Sequence, residues 1–412
     1  MLSVFLYSIG IRIYGLALSI AALFHTKASR LQQGRRSWQQ KLKQQLAQKP
    51  ADQKTIWFHV ASVGEFEQAL PVYQKLIDKH PQHQYVFSFY SPSGYDYAEK
   101  KFPEITTCYL PLDTASNMKE LIALLRPSMV VIVKYEFWYH LLDQLKQHHI
   151  PVFLLSGIFR PSHYFFQPLT QRFFQSMLHN FEHLFVQNEE SLQLIQPIVG
   201  GSKVSISGDT RAERVLENKS SPLQDQILET FCTQHPVFIA GSVWKEDEAV
   251  LQKIIEELPL NYKVILAPHE FTHYSFQARI EEQTHYSDFD SAKRILILDT
   301  LGLLSRTYRY ASLVYVGGGF GKGIHNILEP LVFGIPVLIG TKHEKFHEAQ
   351  EMKQLGTVFA INTPEEAAQV TASLLKNDER MTDIRHKLAT YFASRANISG
   401  EIVVFLEKYL KS

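Results

Sequence analysis

The residues best suited to chemistry begin with Val316-Gly317-Gly318-Gly319-Phe320-Gly321-Lys322-Gly323-Ile324-His325-Asn326-Ile327-Leu328-Glu329-Pro330. The run follows an apolar, strand-like stretch and leads towards a helix. Its glycines let the backbone come close to a ligand, and a helix start offers unpaired N–H groups to an anion. Asn326 is a good helix cap, and Glu329 stands three residues later on the first turn. A carboxylate there can accept hydrogen bonds from both hydroxyls of a ribose, which a phosphate loop alone cannot do. The competing reading is a glycine turn closed by an Asn/Glu capping box. Glu329-Pro330 and the strand expected just beyond favour a nucleotide, with Gly318 and Gly319 as further contacts. No Gly-Lys-Ser/Thr follows at the spacing of a Walker loop.

A second group is acidic. In His59-Val60-Ala61-Ser62-Val63-Gly64-Glu65-Phe66-Glu67 a strand ends, Gly64 turns the chain and Glu65 opens a helix. Activating a sugar hydroxyl needs a general base within hydrogen-bond reach, and a partly desolvated glutamate suits that role. A first-turn glutamate also simply complements the helix dipole, and position alone favours that plainer role. Lys134-Tyr135-Glu136-Phe137-Trp138 puts a carboxylate among aromatics at the end of a strand. Desolvation there raises its pKa or demands a cationic partner. Arg211, in Gly208-Asp209-Thr210-Arg211, is placed either to face developing negative charge or to make an ordinary ion pair. Ser242 and Arg160 lie in loops expected to face a cleft and are further candidates.

Other patterns read as structural. Asp288-Phe289-Asp290 spells an Asp-x-Asp metal pattern but sits in a polar connection, where a chance match is the simpler account. Glu246-Asp247-Glu248 reads as an acidic first helical turn, and His343 and His347 lack a third ligand. No metal site is expected.

The elements that must position these residues alternate regularly. Strands are expected at 56–60, 85–89, 129–133, 152–155, 183–186 and 204–207. A second series follows at 237–240, 263–267, 294–298, 313–316, 336–339 and 358–361. Short continuous apolar runs separated by helices imply parallel sheets covered on both faces. The expected fold is therefore α/β, with two Rossmann-like doubly wound domains and ligands in a cleft at the strands' carboxyl ends. Residues 52–207 form the first domain, 208–236 a linker and 237–398 the second domain. The last helix, within 399–412, is expected to pack back on the first domain. A chain of 412 residues accommodates two such cores.

Residues 1–26 read as a membrane anchor and 27–51 as a basic juxtamembrane segment. Leu2 to Phe24 is apolar apart from Arg12 and small polar residues, with nothing polar to define an outer face. It is about long enough to cross a hydrocarbon core of ~30 Å. Lys27, Arg30, Arg35, Arg36, Lys41 and Lys43 follow it, and no acidic residue precedes Asp52. Positive charge after the apolar run, rather than before it, argues against a secretory signal and places the rest of the chain in the cytoplasm. Arg12 costs roughly 2.5–3.5 kcal/mol at the middle of a spanning helix. The rival arrangement is a helix lying in the membrane interface.

The overall charge of +1 gives no reason to expect a nucleic-acid partner. Two cysteines, Cys108 and Cys232, support neither a disulfide framework nor a zinc site.

Taken together, Ala61-Ser62-Val63-Gly64-Glu65, Tyr135-Glu136-Phe137-Trp138, Gly208-Asp209-Thr210-Arg211, Asp299-Thr300-Leu301-Gly302 and Asn326-Ile327-Leu328-Glu329 resemble the Kdo transferases of lipopolysaccharide synthesis. These are membrane-bound inverting enzymes of the GT-B fold, and the resemblance spans nearly the whole chain. It implies CMP-Kdo as donor substrate, a lipid A precursor (lipid IVA) as acceptor, and the cytoplasmic face of the inner membrane as location. It implies Glu65 as general base and Glu136 and Arg211 as stabilisers of the transition state. Pro268, His269, Thr300, Leu301, Gly302, Asn326, Ile327, Leu328 and Glu329 would hold CMP, with no metal or other cofactor. Several positions depart from the pattern. Arg211 stands where many members have Lys, Tyr139-His140 replaces Pro-Asn, Leu303 replaces an acidic residue and His269 an arginine. Two other classes fit parts of the chain: a UDP-sugar epimerase on the same scaffold, and a tethered binding module without catalysis. The apolar N-terminus argues against the first, and the presence of Glu65, Glu136 and Arg211 against the second.

Overall fold

The computed structural model describes residues 2–47, 53–270 and 276–410. The chain divides into two compact units: one runs to Arg214 and takes in the chain from Asn397 onward, and the other is Val215–Ala396. The boundary placed at 51/52 from the sequence lies outside the described residues.

The first unit is built on a seven-stranded sheet of order β3-β2-β1-β4-β5-β6-β7. Its strands are β1 Thr55–Val60, β2 Gln84–Phe89, β3 Thr106–Tyr109, β4 Pro127–Val133, β5 Val152–Gly157, β6 His183–Val186 and β7 Val204–Ile206. The second unit holds another seven strands in the order β10-β11-β9-β8-β12-β13-β14. These are β8 Val237–Val243, β9 Lys263–Pro268, β10 Gln283–His285, β11 Ile295–Ile297, β12 Ala311–Val316, β13 Val337–Ile339 and β14 Val358–Ala360. Every pairing between these strands is parallel. In each sheet the strand order reverses beside the first strand, between β1 and β4 and between β8 and β12, where loops part and a ligand can enter.

Both faces of the first sheet are covered, which is why its strands read as unbroken apolar runs. Phe58, Phe87, Val131 and Phe153 point into one core, and Trp57, Val86, Val130 and Leu154 into the other. Burying each such side chain contributes about 1.5–3 kcal/mol. Into the first core pack Ile402, Val403 and Leu406 of the last helix, Ile398–Leu410, so that helix belongs to the first unit.

The stretch from Gly208 to Pro236 is shared between the units rather than forming a bare connection. Thr210 donates to the Gln68 carbonyl at 2.6 Å in the first unit. In the second unit Leu228, Phe231 and Cys232 are buried, and Tyr286 donates to Asp225 at 2.7 Å.

Two strands, β3 and β10, are absent from the expected set. Both lie at sheet edges and are short and polar, Thr-Thr-Cys-Tyr and Gln-Thr-His, so neither makes an apolar run. Asp288 and Asp290 sit in the turn between β10 and β11, where the Asp290 carboxylate accepts from Ala292 N–H at 2.9 Å and its backbone N–H donates to the Thr284 hydroxyl at 2.9 Å.

At the N-terminus, α1 (Leu2–Ala21) has a mean hydropathy of 1.7 over its best window and is long and apolar enough to cross a membrane. It is followed by α2 (Thr26–Arg36) and α3 (Trp38–Leu46). Contrary to the sequence reading, its two sides differ in kind. Tyr7, Ser8 and Ser19 hydrogen-bond into the first unit, while Phe5, Ile9, Ile13, Leu16 and Ile20 are exposed.

Candidate active site

Glu65 sits in the first turn of α4 (Val63–Lys79). Its backbone N–H donates to the Ser62 hydroxyl at 3.4 Å, and its carboxylate accepts from Ala61 N–H at 2.5 Å. This cap is close to a Ser-x-x-Glu capping box but reaches one residue beyond the N-cap, to Ala61, and the side chain is also nearly buried. Burial, and then the charge of Glu136, push its pKa up to about 7; the Ala61 N–H and Lys134 oppose the rise. A carboxyl group poised near neutrality is suited to accept a proton from a hydroxyl.

Glu136 follows β4 and accepts from the Trp138 indole N–H at 2.8 Å and from His59 Nε2 at 3.3 Å. A carboxylate only accepts, so Nε2 carries the proton. The other His59 nitrogen lies 2.8 Å from the Ser88 hydroxyl, which in turn accepts from Trp57 Nε1 at 2.7 Å. Trp57, Ser88 and His59 thus form a buried relay that fixes Glu136 from below the sheet end. Between β4 and Glu136, Lys134 adopts φ +59°. This left-handed conformation costs a non-glycine residue about 1–3 kcal/mol and is found where a site demands it. Lys134 acts electrostatically on both Glu65 and Asp209.

Arg211 donates to the Asp209 carboxylate at 2.9 Å through Nε and 2.5 Å through Nη2. Gln68 of α4 donates to the other Asp209 oxygen at 2.8 Å. Burial alone would raise the Asp209 pKa, but Arg211, Lys134 and Gln68 hold it well below the usual carboxylate range. The pair is therefore charged, and it holds a cation at the same sheet end as Glu65 and Glu136. Arg160 lies past the end of β5, beside His163. If Arg211 serves by its charge rather than by its fork geometry, Arg211→Lys should lower turnover by only about tenfold, the worth of one charge-assisted hydrogen bond. A loss of a thousandfold in steady-state rate would show that the fork itself matters.

In the second unit the glycine run is held against β8. A side chain on Gly317 would collide with the Ser242 carbonyl, and one on Gly319 would meet Gly340 N at 2.5 Å. Gly318 and Gly323 have φ +89° and +122°. The helix expected directly after the run differs from the reading: it is only Leu328–Leu331. Asn326 accepts from Leu328 N–H at 3.1 Å and donates to Glu329 at 3.1 Å. A four-residue helix carries little dipole, so what this stretch can offer an anion is loop N–H groups and side chains rather than a helix end. Glu329 also lies near buried Tyr308, whose hydroxyl sits over Gly241.

Trp244, which had no role in the sequence reading, and several of the residues expected to hold CMP complete this half. Trp244, after β8, stacks on His269, after β9, with ring centroids 4.2 Å apart. Its indole N–H donates to His325 Nε2 at 3.1 Å, and Lys322 lies 5.2 Å over its ring. Burial, then His269, lower the His325 pKa to about 4, so the ring is neutral and its proton is on Nδ1. Asp247, read as part of an acidic first helical turn, stands at the start of the helix Glu248–Glu257 and is fully buried. It accepts from Trp244 N–H at 2.8 Å, Gly318 N–H at 3.1 Å and the Tyr315 hydroxyl at 2.6 Å. Pro268 is buried at the end of β9, while Leu301 is exposed and Gly302 turns with φ +86°. Thr300 to Gly302 follow β11, and Leu304 packs against the Gly241 position. Ile327 and Leu328 are buried, so they can offer backbone rather than side chains. Among the described residues no group of three potential metal ligands occurs.

Comparison with known proteins gives this geometry a setting. A family model described as 3-deoxy-D-manno-octulosonic-acid transferase (kdotransferase) matches residues 36–214. The 3-deoxy-D-manno-octulosonic acid transferase of Chlamydophila psittaci is 24% identical over 82% of this chain and 81% of its own length. That of Aquifex aeolicus is 24% identical over 78% and 86%. Among solved structures, a UDP-GlcNAc 2-epimerase from Neisseria meningitidis aligns with TM-score 0.63 at 15% identity, covering 86% of this chain and 100% of that one. The calicheamicin glycosyltransferase CalG4 aligns with TM-score 0.57 at 11% identity over 87% and 99%. These structures speak to the fold, two parallel α/β units of the GT-B kind, and the sequence relatives speak to the chemistry. The chain is a glycosyltransferase related to the Kdo transferases.

Proposed function

We propose that the protein transfers Kdo from CMP-Kdo to a lipid A precursor, with inversion at the anomeric carbon. The observation that carries this is Glu65, a buried carboxyl group poised near neutral pH beside Glu136 and Lys134. Glu65 takes the proton of the acceptor hydroxyl as its oxygen attacks. Glu136, Lys134 and the Asp209–Arg211 pair set the field in which charge develops. The second unit holds CMP: Glu329 accepts from the ribose hydroxyls, and loop N–H groups with Lys322 and His269 meet the single phosphate. A monophosphate leaving group needs no metal bridge, so transfer should continue undiminished in EDTA; a rate restored only by added divalent cation would contradict that.

The donor half is tested by calorimetric titration with CMP. Glu329→Ala should weaken CMP binding by about tenfold, as loss of a hydrogen bond to a charged group does, and leave acceptor binding unchanged. If CMP fails to bind the folded wild-type protein, the assignment of the second unit falls. A lipid acceptor and the apolar α1 both support a location at the cytoplasmic surface of the inner membrane, where tethering would concentrate the enzyme on its substrate.

A further inference from the structure

The apolar helix α1 is docked along its length. At one end Tyr7 donates to Asp113 at 2.7 Å, and the Tyr7 hydroxyl also accepts from Tyr139 N–H at 3.2 Å. Asp113 is buried and further accepts from His140 N–H at 3.0 Å and Leu141 N–H at 2.9 Å, capping the helix Tyr139–Gln147. Ser8 pairs with His140 at 2.9 Å. Past the middle, Gly15 lies against Leu112 and Tyr14 meets Tyr90. At the far end Ser19 accepts from Gln32 of α2 at 2.5 Å.

The docked positions 7, 8, 11, 15, 18 and 19 occupy one side of a 3.6-residue helix, and exposed Leu2, Phe5, Leu6, Ile9, Ile13, Leu16 and Ile20 the other. Tyr7 and Ser19 are about 18 Å apart along the axis at 1.5 Å per residue. If α1 crossed a ~30 Å hydrocarbon core in this docked state, the first unit would be drawn some 18 Å into lipid. Asp113, His140 and Arg35 would go with it. Charged groups at such depth are costly.

We infer that α1 lies in the plane of an anionic bilayer's surface, its outer stripe among the acyl chains and its inner side held on the first unit. The rest of the segment fits that occupant. Arg12, on the border between the two stripes, reaches the headgroup level instead of the bilayer centre. It lines a cavity of about 410 Å³ with Arg35, Arg36, Gln32, Trp38 and Asn117, a setting for lipid phosphate. Lys27, Lys41 and Lys43 extend the basic surface, with no acidic residue before Asp52, while Arg30 pairs with Asp96. The geometry also connects the membrane to the catalytic carboxylates. Arg35 lies 4.8 Å over the Tyr90 ring, Tyr90 stacks on Trp138 at 5.4 Å, and Trp138 donates to Glu136. A flat α1 thus sets Glu136 and Glu65 beside the headgroups, where a lipid acceptor presents its sugar.

This inference rests on membrane binding by α1 but not on the transfer reaction, which is assayed separately in detergent. The test uses the full chain on phosphatidylethanolamine/phosphatidylglycerol vesicles and an impermeant maleimide added outside; Cys108 and Cys232 are buried. Leu169→Cys, fully exposed on the first unit, reports which side that unit faces. In the flat arrangement Ser3→Cys labels from outside as fully as Leu169→Cys, Ile9→Cys and Leu16→Cys are protected until detergent is added, and flotation falls by about tenfold or more when phosphatidylglycerol is replaced by phosphatidylcholine. Protection of Ser3→Cys while Leu169→Cys labels would establish a spanning helix and overturn the inference. So would a protein that does not float with the anionic vesicles, or full labelling of Ile9→Cys and Leu16→Cys.

Discussion

Glu65→Gln should lower kcat for sugar transfer by about 10²–10⁴-fold, the usual contribution of a positioned general base, while CMP binding stays as in the wild type. Glutamine keeps the length of the side chain and an oxygen to accept from Ala61 N–H, so the cap on α4 survives. What it removes is the group that takes the proton. In the wild type, burial and Glu136 raise that carboxyl to about 7, so kcat should climb as pH passes through 7 and then level off. Stability moves in the opposite sense. Between pH 4.5 and about 7 the folded state holds a proton on Glu65 that the unfolded chain has lost, so this group's contribution falls as pH rises through that window. Above it, Glu65→Gln should unfold at the same or a higher temperature than the wild type. An inactive variant that also melts lower would point to a broken cap instead of a missing base. Stopped assays from pH 5.5 to 9, paired with thermal melts, separate the two.

The second large effect belongs to Asp247. Alanine there leaves Trp244 N–H, Gly318 N–H and the Tyr315 hydroxyl without their acceptor in a buried place. Each orphaned group costs about 1–3 kcal/mol, and the costs are not additive, so Asp247→Ala should destabilise the second unit by roughly 3–5 kcal/mol. The glycine run loses the Asp247 acceptor of its Gly318 N–H at the same time, and CMP affinity should fall with it. Asp247→Asn is the discriminating partner. Burial raises the Asp247 pKa, against the three hydrogen bonds, so the site is not built around a charge alone. Asparagine can turn its oxygen to the two N–H groups and its amide to the tyrosine, and should retain most of the stability and the CMP binding. Denaturant melts read by tryptophan fluorescence, with CMP titration beside them, measure both. Equal damage from Asn and Ala would mean that the carboxylate's charge, and not its geometry, matters.

The contrast between these two acids shows what the sequence made legible. The first-turn position of Glu65 was readable from near neighbours, Gly64 at the turn and a strand just before, while a base role came only from the resemblance and the approach of Glu136 only from the fold. Asp247 has the local pattern of an acidic first turn and an actual setting made by β12, which lies far along the chain. The same holds for His59. One apolar strand residue in a row is expected from Phe58-His59-Val60, and only the register of β1 against β2 brings Ser88 to its ring. Trp244 and His325 meet because β8 and β12 are adjacent in the sheet. Twelve of the strands were visible because parallel sheets bury both faces of their central strands, and β3 and β10 were hidden because their sequences, Thr-Thr-Cys-Tyr and Gln-Thr-His, make no apolar run. The docked side of α1 was illegible for a related reason: Tyr7, Ser8 and Ser19 look like minor polar interruptions until Asp113, His140 and Gln32 are set opposite them.

The account as a whole stands on sugar transfer to a lipid. Purified full-length protein incubated with CMP-Kdo and a tetraacyl disaccharide bisphosphate should release CMP and yield a lipid whose mass is increased by one or more whole Kdo residues. Glu65→Gln should give little of it in the same time. A folded protein that leaves the lipid unchanged with CMP-Kdo, and isomerises a free UDP-sugar instead, would contradict the account.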